Sequence, residues 1–272
     1  AFLQAASAHR EQHLVDRSPD ETALRAAIPL PPRRVRQAVG RDELIGAVCQ
    51  RLANPGVLLN LAGDPAIGKT TVAQEVAQRL WSQQRLVLWA DAREGTASSV
   101  AQLEAYLWQA LIGGRMVAEE RLRQRRLAEA LADARPLLIL DNLESADEFE
   151  PVLELVSQIG GRAAILTTSR RWIPARLGDN LPLHELAAND GIRLFHEIGR
   201  AYARSADAPR DELMIEVICT DLLAGHPGAI EIAASLWKGW TLEDILRGLR
   251  ERAMATLDDP QRTDLNRSMR LS

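Results

Sequence analysis

The sequence predicts an α/β protein: a parallel sheet with flanking helices, followed by a small all-helical domain. Three observations predict it. From Gly40 onward, four short, continuously apolar runs alternate with helix-period segments, the pattern of strands buried on both faces. Strand signals fade after Arg171, apart from a short LPLHEL, and four helix-period segments follow. A glycine turn, GDPAIGKT, joins the first apolar run to a helix.

Residues 1–29 read as a helical or flexible N-terminal segment, with apolar spacing at Phe2, Leu3, Leu14 and Leu24 broken at Ser18-Pro19. Pro29, Pro31 and Pro32 impose extended backbone and mark the entry to a new unit, residues 30–180. In it, DELIGAVCQRLANP is a helix stopped at Pro55, VLLNLAG a strand, and KTTVAQEVAQRLWSQQ a helix with Val72, Val76 and Leu80 in register. A strand follows near Leu86 to Ala90, then a long helix or helix pair from about Ser98 to Asp133. PLLILDN is the next strand, Phe149 to Ile159 a helix, and RAAILTTSR the last apolar strand. NDGIRLFHEIGRAYAR, DELMIEVICTDLLAG, HPGAIEIAASLWKGW and TLEDILRGLRERAM make up a helical unit, 181–258.

The 272 residues allow about two domains at roughly 150 residues each. With 46% hydrophobic, 26% charged and only 4% aromatic residues, the balance is that of a soluble protein with an aliphatic interior. The net charge of −4 argues against direct nucleic-acid binding and against an anionic membrane. The arginines of RLRQRRLAEALADAR share a helix with Leu122, Leu127, Leu131 and acidic residues, as on a solvated face. Cys49 and Cys219 lie in apolar helical patterns and read as buried thiols of a reducing compartment. With no apolar stretch near 18 residues and no signal peptide, the expected location is the cytoplasm. The start at Ala1 suggests processing or a fragment of something longer.

Gly63-Asp64-Pro65-Ala66-Ile67-Gly68-Lys69-Thr70 matches G-x-x-x-x-G-K-S/T between a strand and a helix, the context this phosphate loop requires. The expected fold is therefore that of a P-loop NTPase. Gly63 and Gly68 let the backbone turn close to the phosphates, so that N–H groups and the positive helix end face the anion. Lys69 can reach the β- and γ-phosphates, and the Thr70 hydroxyl can ligate Mg²⁺. Asp141, closing the apolar strand PLLILD, supplies the carboxylate that Mg²⁺ needs at a strand end. The next position holds Asn142, whose amide cannot take a proton from water. Hydrolysis would then lean on Glu144, on positioning, or on a group supplied from elsewhere. Thr167, Thr168, Ser169 and Arg170 sit where ligands of open α/β sheets bind. Arg170 is either a reader of the γ-phosphate or a surface arginine at a strand end; Arg171 is left on the surface.

In order, VGRDE, GDPAIGKTT, LLILDN, LTTSR and LAGHPGAIEIAA resemble the NB-ARC group of signal-transduction ATPases with numerous domains, or STAND proteins, relatives of the AAA+ ATPases. The likeness runs from about Leu30 to the end. It implies that Ala38, Val39, Gly40 and Arg41 lie over adenine and ribose, whereas the residues themselves read only as a turn and a helix start. It makes Gly225-His226-Pro227 the element whose proline packs on the nucleotide; otherwise Pro227 is a helix breaker. It implies a sensor role for Arg170 and contacts from Asp64, Pro65, Ala66, Ile67 and Thr71 as part of the loop. Asn142 departs from the two-acid form common in eukaryotic members of the family, which argues against fast turnover. The family continues with a winged-helix domain whose histidine contacts the β-phosphate, and residues 259–272 look like its beginning. His184, His196 and His226 lie too early for that role and count as helix or loop residues.

The resemblance implies an ADP/ATP switch with slow hydrolysis, Mg²⁺ as cofactor, and assembly into a homo-oligomer after activation. Its sensor and output domains, such as repeats or DNA-binding modules, would lie outside this chain. A mechanochemical AAA+ ATPase acting on nucleic acid or protein is the alternative. A P-loop kinase would want an acceptor-site carboxylate and an arginine-rich lid, and neither stands out.

Overall fold

The computed structural model describes residues 38–83, 85–199 and 209–257. Segment 1–29 and the stretch 259–272 lie outside the described residues. The four apolar runs are β1 (Leu58–Ala62), β2 (Val87–Asp91), β3 (Leu137–Asp141) and β4 (Ala164–Ser169). A fifth strand, β5 (Asp179–Pro182), pairs with the edge of β1, slightly before the LPLHEL signal. All pairings are parallel, in the order β2-β3-β4-β1-β5. Pro182 is tolerated because β5 is an edge strand.

Successive side chains of a strand point to opposite faces, and β3 shows what this does to a run of five apolar and acidic residues. Leu137 and Ile139 enter one core layer, with α1 (Asp42–Leu52) and α2 (Lys69–Ser82). Leu138 and Leu140 enter the other, under α3 (Val100–Leu111), α4 (Glu120–Ala134) and α5 (Phe149–Ile159). The sheet is thus covered on both faces, which explains why its strands show no polar alternation. Of the long helix or helix pair expected from about Ser98 to Asp133, the pair forms, α3 and α4, because the chain turns through Gly113 and Gly114, both at positive φ.

Beyond the sheet, α6 (Ala188–Gly199), α7 (Pro209–Glu216), a π-helical stretch (Val217–Leu222), α8 (Pro227–Leu236) and α9 (Leu242–Leu257) complete the described chain. Phe195, Ile215, Ile218, Ile230 and Ala234 form their separate core. Two outsiders join that core: Val39, from the segment before α1, and Leu186, from the link after β5. These two residues plug the entry segment and the link into the C-terminal helices.

Leu166 is fully buried in β4, whereas Ile232 on α8 is 61% exposed. Leu166→Ala is expected to lower stability by about 2–5 kcal/mol, and Ile232→Ala by less than about 0.5 kcal/mol. Urea unfolding of the two variants checks the contrast.

Candidate nucleotide-binding site

The loop between β1 and α2 closes on itself. Gly68 has φ 99°, a conformation open to glycine at little cost, and its carbonyl accepts from Val72 N at 3.0 Å to start α2. The buried Lys69 ammonium donates to the carbonyls of Gly63 and Asp64, each at 2.8 Å. Burial lowers the Lys69 pKa, with Glu144 pulling it back up, so the site holds a desolvated cation beside the positive end of a helix. That combination suits an anion of high charge density.

Behind the loop, one carboxylate oxygen gathers three elements. Asp141 Oδ1, at the end of β3, accepts from Thr70 Oγ1 of α2 at 2.9 Å and from Thr168 Oγ1 of β4. Thr168 Oγ1 in turn accepts from Asn142 N at 2.9 Å. Burial raises the Asp141 pKa, the two hydroxyls oppose the rise, and the neighbouring Asp91 adds to it. The strand register explains Asp91: it ends β2 directly opposite Asp141. Asn142, in the left-handed region at φ 55°, places Nδ2 at 3.2 Å from both Asp91 carboxylate oxygens and from Asp141 Oδ2. Three carboxylate oxygens fix the amide's orientation, because an amide oxygen in that place would face acceptors alone. The group left to Asn142 is a carbonyl oxygen, which can orient water without accepting its proton. Thr70 and Asp141 are hard oxygen donors at the phosphate loop and fit Mg²⁺, which takes few protein ligands and completes its shell with water and phosphates.

Two further walls complete the site. On the strand side, Arg170 Nε is 3.2 Å from Glu144 Oε1, and Arg170 N donates to Glu144 Oε2 at 3.3 Å. From the C-terminal helices, His226 Nε2 lies 3.1 Å from Pro65 O, and Gly228 N donates to Ala66 O at 3.1 Å. His226 Nδ1 accepts from Ala229 N and caps α8, so the neutral Nε2–H tautomer satisfies both contacts. Glycine is required at 228, since a Cβ there would lie 2.5 Å from Ala66 Cβ. Across the opening, the Arg41 guanidinium donates to His184 O, and its pKa is lowered by burial.

Together these elements line a cleft of about 500 Å³, within the range of small-molecule sites. Val39 and Arg41, Pro65 through Thr71, Asn142, Arg170 and Pro227 all face it. Gly40, Gly63, Asp64 and Asp141 do not line it: Gly63 and Asp64 hold Lys69 from behind, and Asp141 works through Thr70.

The NB-ARC domain model matches residues 41–199. The chain belongs to the NB-ARC domain family. It is thereby a nucleotide-binding P-loop protein. Its fold is also that of solved structures of low identity. A STAND protein with a tetratricopeptide repeat sensor from Pyrococcus horikoshii is 15% identical, with a TM-score of 0.51 over 82% of this chain and 33% of that one. The Aeropyrum pernix Orc1 protein, solved in complex with DNA, is 18% identical, with a TM-score of 0.54 over 82% of this chain and 68% of that one. Cdc6p from Pyrobaculum aerophilum is 15% identical, with a TM-score of 0.53 over 79% and 63%. The chain spans a third of the length of the Pyrococcus protein. No curated protein sequence matches it. No helix among the described residues is long and apolar enough to cross a membrane.

In this NB-ARC chain several cleft residues carried no motif. Arg93 follows β2, whose last residue is Asp91, and Arg93 and Glu231 face the cleft. The available signal was position alone, since the carboxyl ends of parallel strands converge on the ligand crevice. His226, read from the sequence as a helix or loop residue, is the cap of α8 and a contact to the phosphate loop. Its motif neighbours Gly225 and Pro227 were noticed, but a contact 161 residues away in sequence leaves no local trace.

Asn142→Asp would set a third carboxylate against Asp91 and Asp141. At neutral pH it is expected to cost about 1–3 kcal/mol of stability, with the deficit shrinking as acid protonates the introduced group. Exchanging the pair, Asp91→Asn with Asn142→Asp, restores an amide opposite a carboxylate and should recover most of the loss. Thermal melts at pH 7.5 and 4.5 check both, and an Asn142→Asp protein as stable as wild type at pH 7.5 would contradict the locked amide.

Proposed function

We propose that this chain is the nucleotide-binding core of a STAND-type signalling switch that exchanges ADP for ATP and hydrolyses ATP slowly. The observation that carries the reading is the seating of the C-terminal helices on the phosphate loop itself, through His226 on Pro65 O and Gly228 on Ala66 O. A change at the phosphates therefore acts on the carbonyls that hold those helices.

The γ-phosphate distinguishes the two nucleotides. Lys69, Thr70 and Arg170 are the residues placed to meet it. Arg170 has two claimants: the Glu144 carboxylate that pairs with it at 3.2 Å, and a γ-phosphate, which offers a denser charge. ADP leaves Arg170 on Glu144, and ATP draws it away, so the two states differ in an ion pair at the strand end. Val39 and Arg41 take the base and ribose side, with Pro227 closing from α8. Thr70, with Asp141 behind it, would hold Mg²⁺, which would supply charge neutralisation to the phosphates. Hydrolysis is slow because Asn142, next to Asp141, offers water an acceptor and no base.

The Pyrococcus STAND protein carries a tetratricopeptide repeat sensor; sensor and output domains partner this core in the proposed switch, and assembly of several copies follows activation. The likeness of fold to Orc1 and Cdc6 proteins favours one second reading, an AAA+ ATPase that turns over ATP while acting on nucleic acid. Asn142 and the net charge of −4 weigh against it.

Chromatography of the nucleotide released from purified protein separates these readings. Retained ADP, near one per chain and lost in Lys69→Ala, is the expected outcome; an empty site with rapid steady-state turnover would favour the motor. His226→Asn keeps a capping side chain but withdraws the reach to Pro65. It should leave the melting temperature within about 2 °C while accelerating ADP release on the order of tenfold in stopped-flow displacement of a fluorescent analogue. An unchanged release rate would remove the seating contact from the switch.

A further inference from the structure

At the end of the sheet opposite the phosphate loop, three arginines come from three separate connections. Arg85 precedes β2, Arg135 joins α4 to β3, and Arg162 precedes β4. Because β2, β3 and β4 are neighbours and parallel, these connections lie side by side. The three side chains line a cavity of about 550 Å³, as large as the nucleotide cleft, with Pro55 and Leu80 supplying apolar wall. No carboxylate lines it.

Arg85 is half-buried, and its Nη1 donates to the carbonyl of Leu52 at 2.5 Å. Burial lowers its pKa with no acidic neighbour in opposition, unlike Arg41, for which Asp190 and Glu185 partly compensate. Arg135 adopts the left-handed conformation at φ 45°, a helix-end position where glycine is the usual choice, so a long cation is kept there at a conformational cost. Neither Arg135 nor Arg162 is in an ion pair among the described residues. Each arginine follows the C-terminus of a helix, whose partial negative charge offsets part of their mutual repulsion. That lets the cluster persist with no carboxylate in its lining.

We propose that this cavity is a second binding site, for a small ligand carrying two or more phosphate groups. Guanidinium forks match phosphate oxygens in pairs, and three of them around one open cavity suit clustered negative charge on a compact molecule. A nucleic-acid strand would instead call for cations in an extended track, and the chain as a whole is acidic, at −4. The site is independent of the switch reading, because it lies at the other ends of the strands.

The test is isothermal titration calorimetry of the full chain, pre-saturated with ADP and Mg²⁺, using inorganic pyrophosphate and inositol hexakisphosphate as probes. One ligand per chain should bind, with affinity falling on the order of tenfold or more in Arg135→Ala/Arg162→Ala. Both side chains are exposed, so the double variant should melt like wild type. Lys69→Ala should bind inositol hexakisphosphate as wild type does, which keeps the result interpretable even if the protein retains no ADP. Absence of binding, binding that the double variant leaves unchanged, or tighter capture of a 20-mer DNA by the same arginines would each overturn the proposal.

Discussion

The buried oxygen of Asp141, shared by the hydroxyls of Thr70 and Thr168, is the joint on which the site depends. A carboxylate at the end of a central strand is costly to bury without partners, and here the partners come from the helix after the phosphate loop and from the adjacent strand. The arrangement ties α2, β3 and β4 at their ligand-facing ends. It also aims Thr70 at the mouth of the loop, where a metal-bound phosphate would be met.

From that joint the electrostatics spread outward in layers. Asp91 stands beside Asp141 because the register of β2 on β3 aligns their last residues. Two carboxylates so placed need a donor, and Asn142 supplies one through its amide nitrogen. The same position in a two-acid site would carry a charge of the wrong sign for this neighbourhood. The asparagine is thus a structural answer to Asp91 before it is a statement about hydrolysis. Glu144 and Arg170 form the next layer, an ion pair at the rim that a phosphate can rearrange.

Much of the fold was legible in the sequence, because its signals are local. Leu137 to Leu140 are apolar on both faces, and GDPAIGKT can hardly fold otherwise than as a tight turn into a helix. The paired glycines at 113 and 114 divide α3 from α4 for the same local reason. The motif residues Lys69, Thr70 and Pro227 face the cleft. Arg93 and Glu231 were not legible, since nothing in their sequence surroundings tells an arginine in a cleft from one in water. The role of Val39 is similar: its burial in the core of the C-terminal helices depends on a neighbour far along the chain.

By itself, then, the sequence determined the parallel sheet, the phosphate loop and the family, because periodicity, glycine spacing and a lysine after the turn act over a few residues. Tertiary structure alone decided which groups meet. It set Asp91 against Asn142 by strand register, and His226 against Pro65 by the docking of distant helices. The physical reason is range: backbone preference is set by nearest neighbours, whereas hydrogen bonds and charge pairs are set by distance in space, which chain order does not encode.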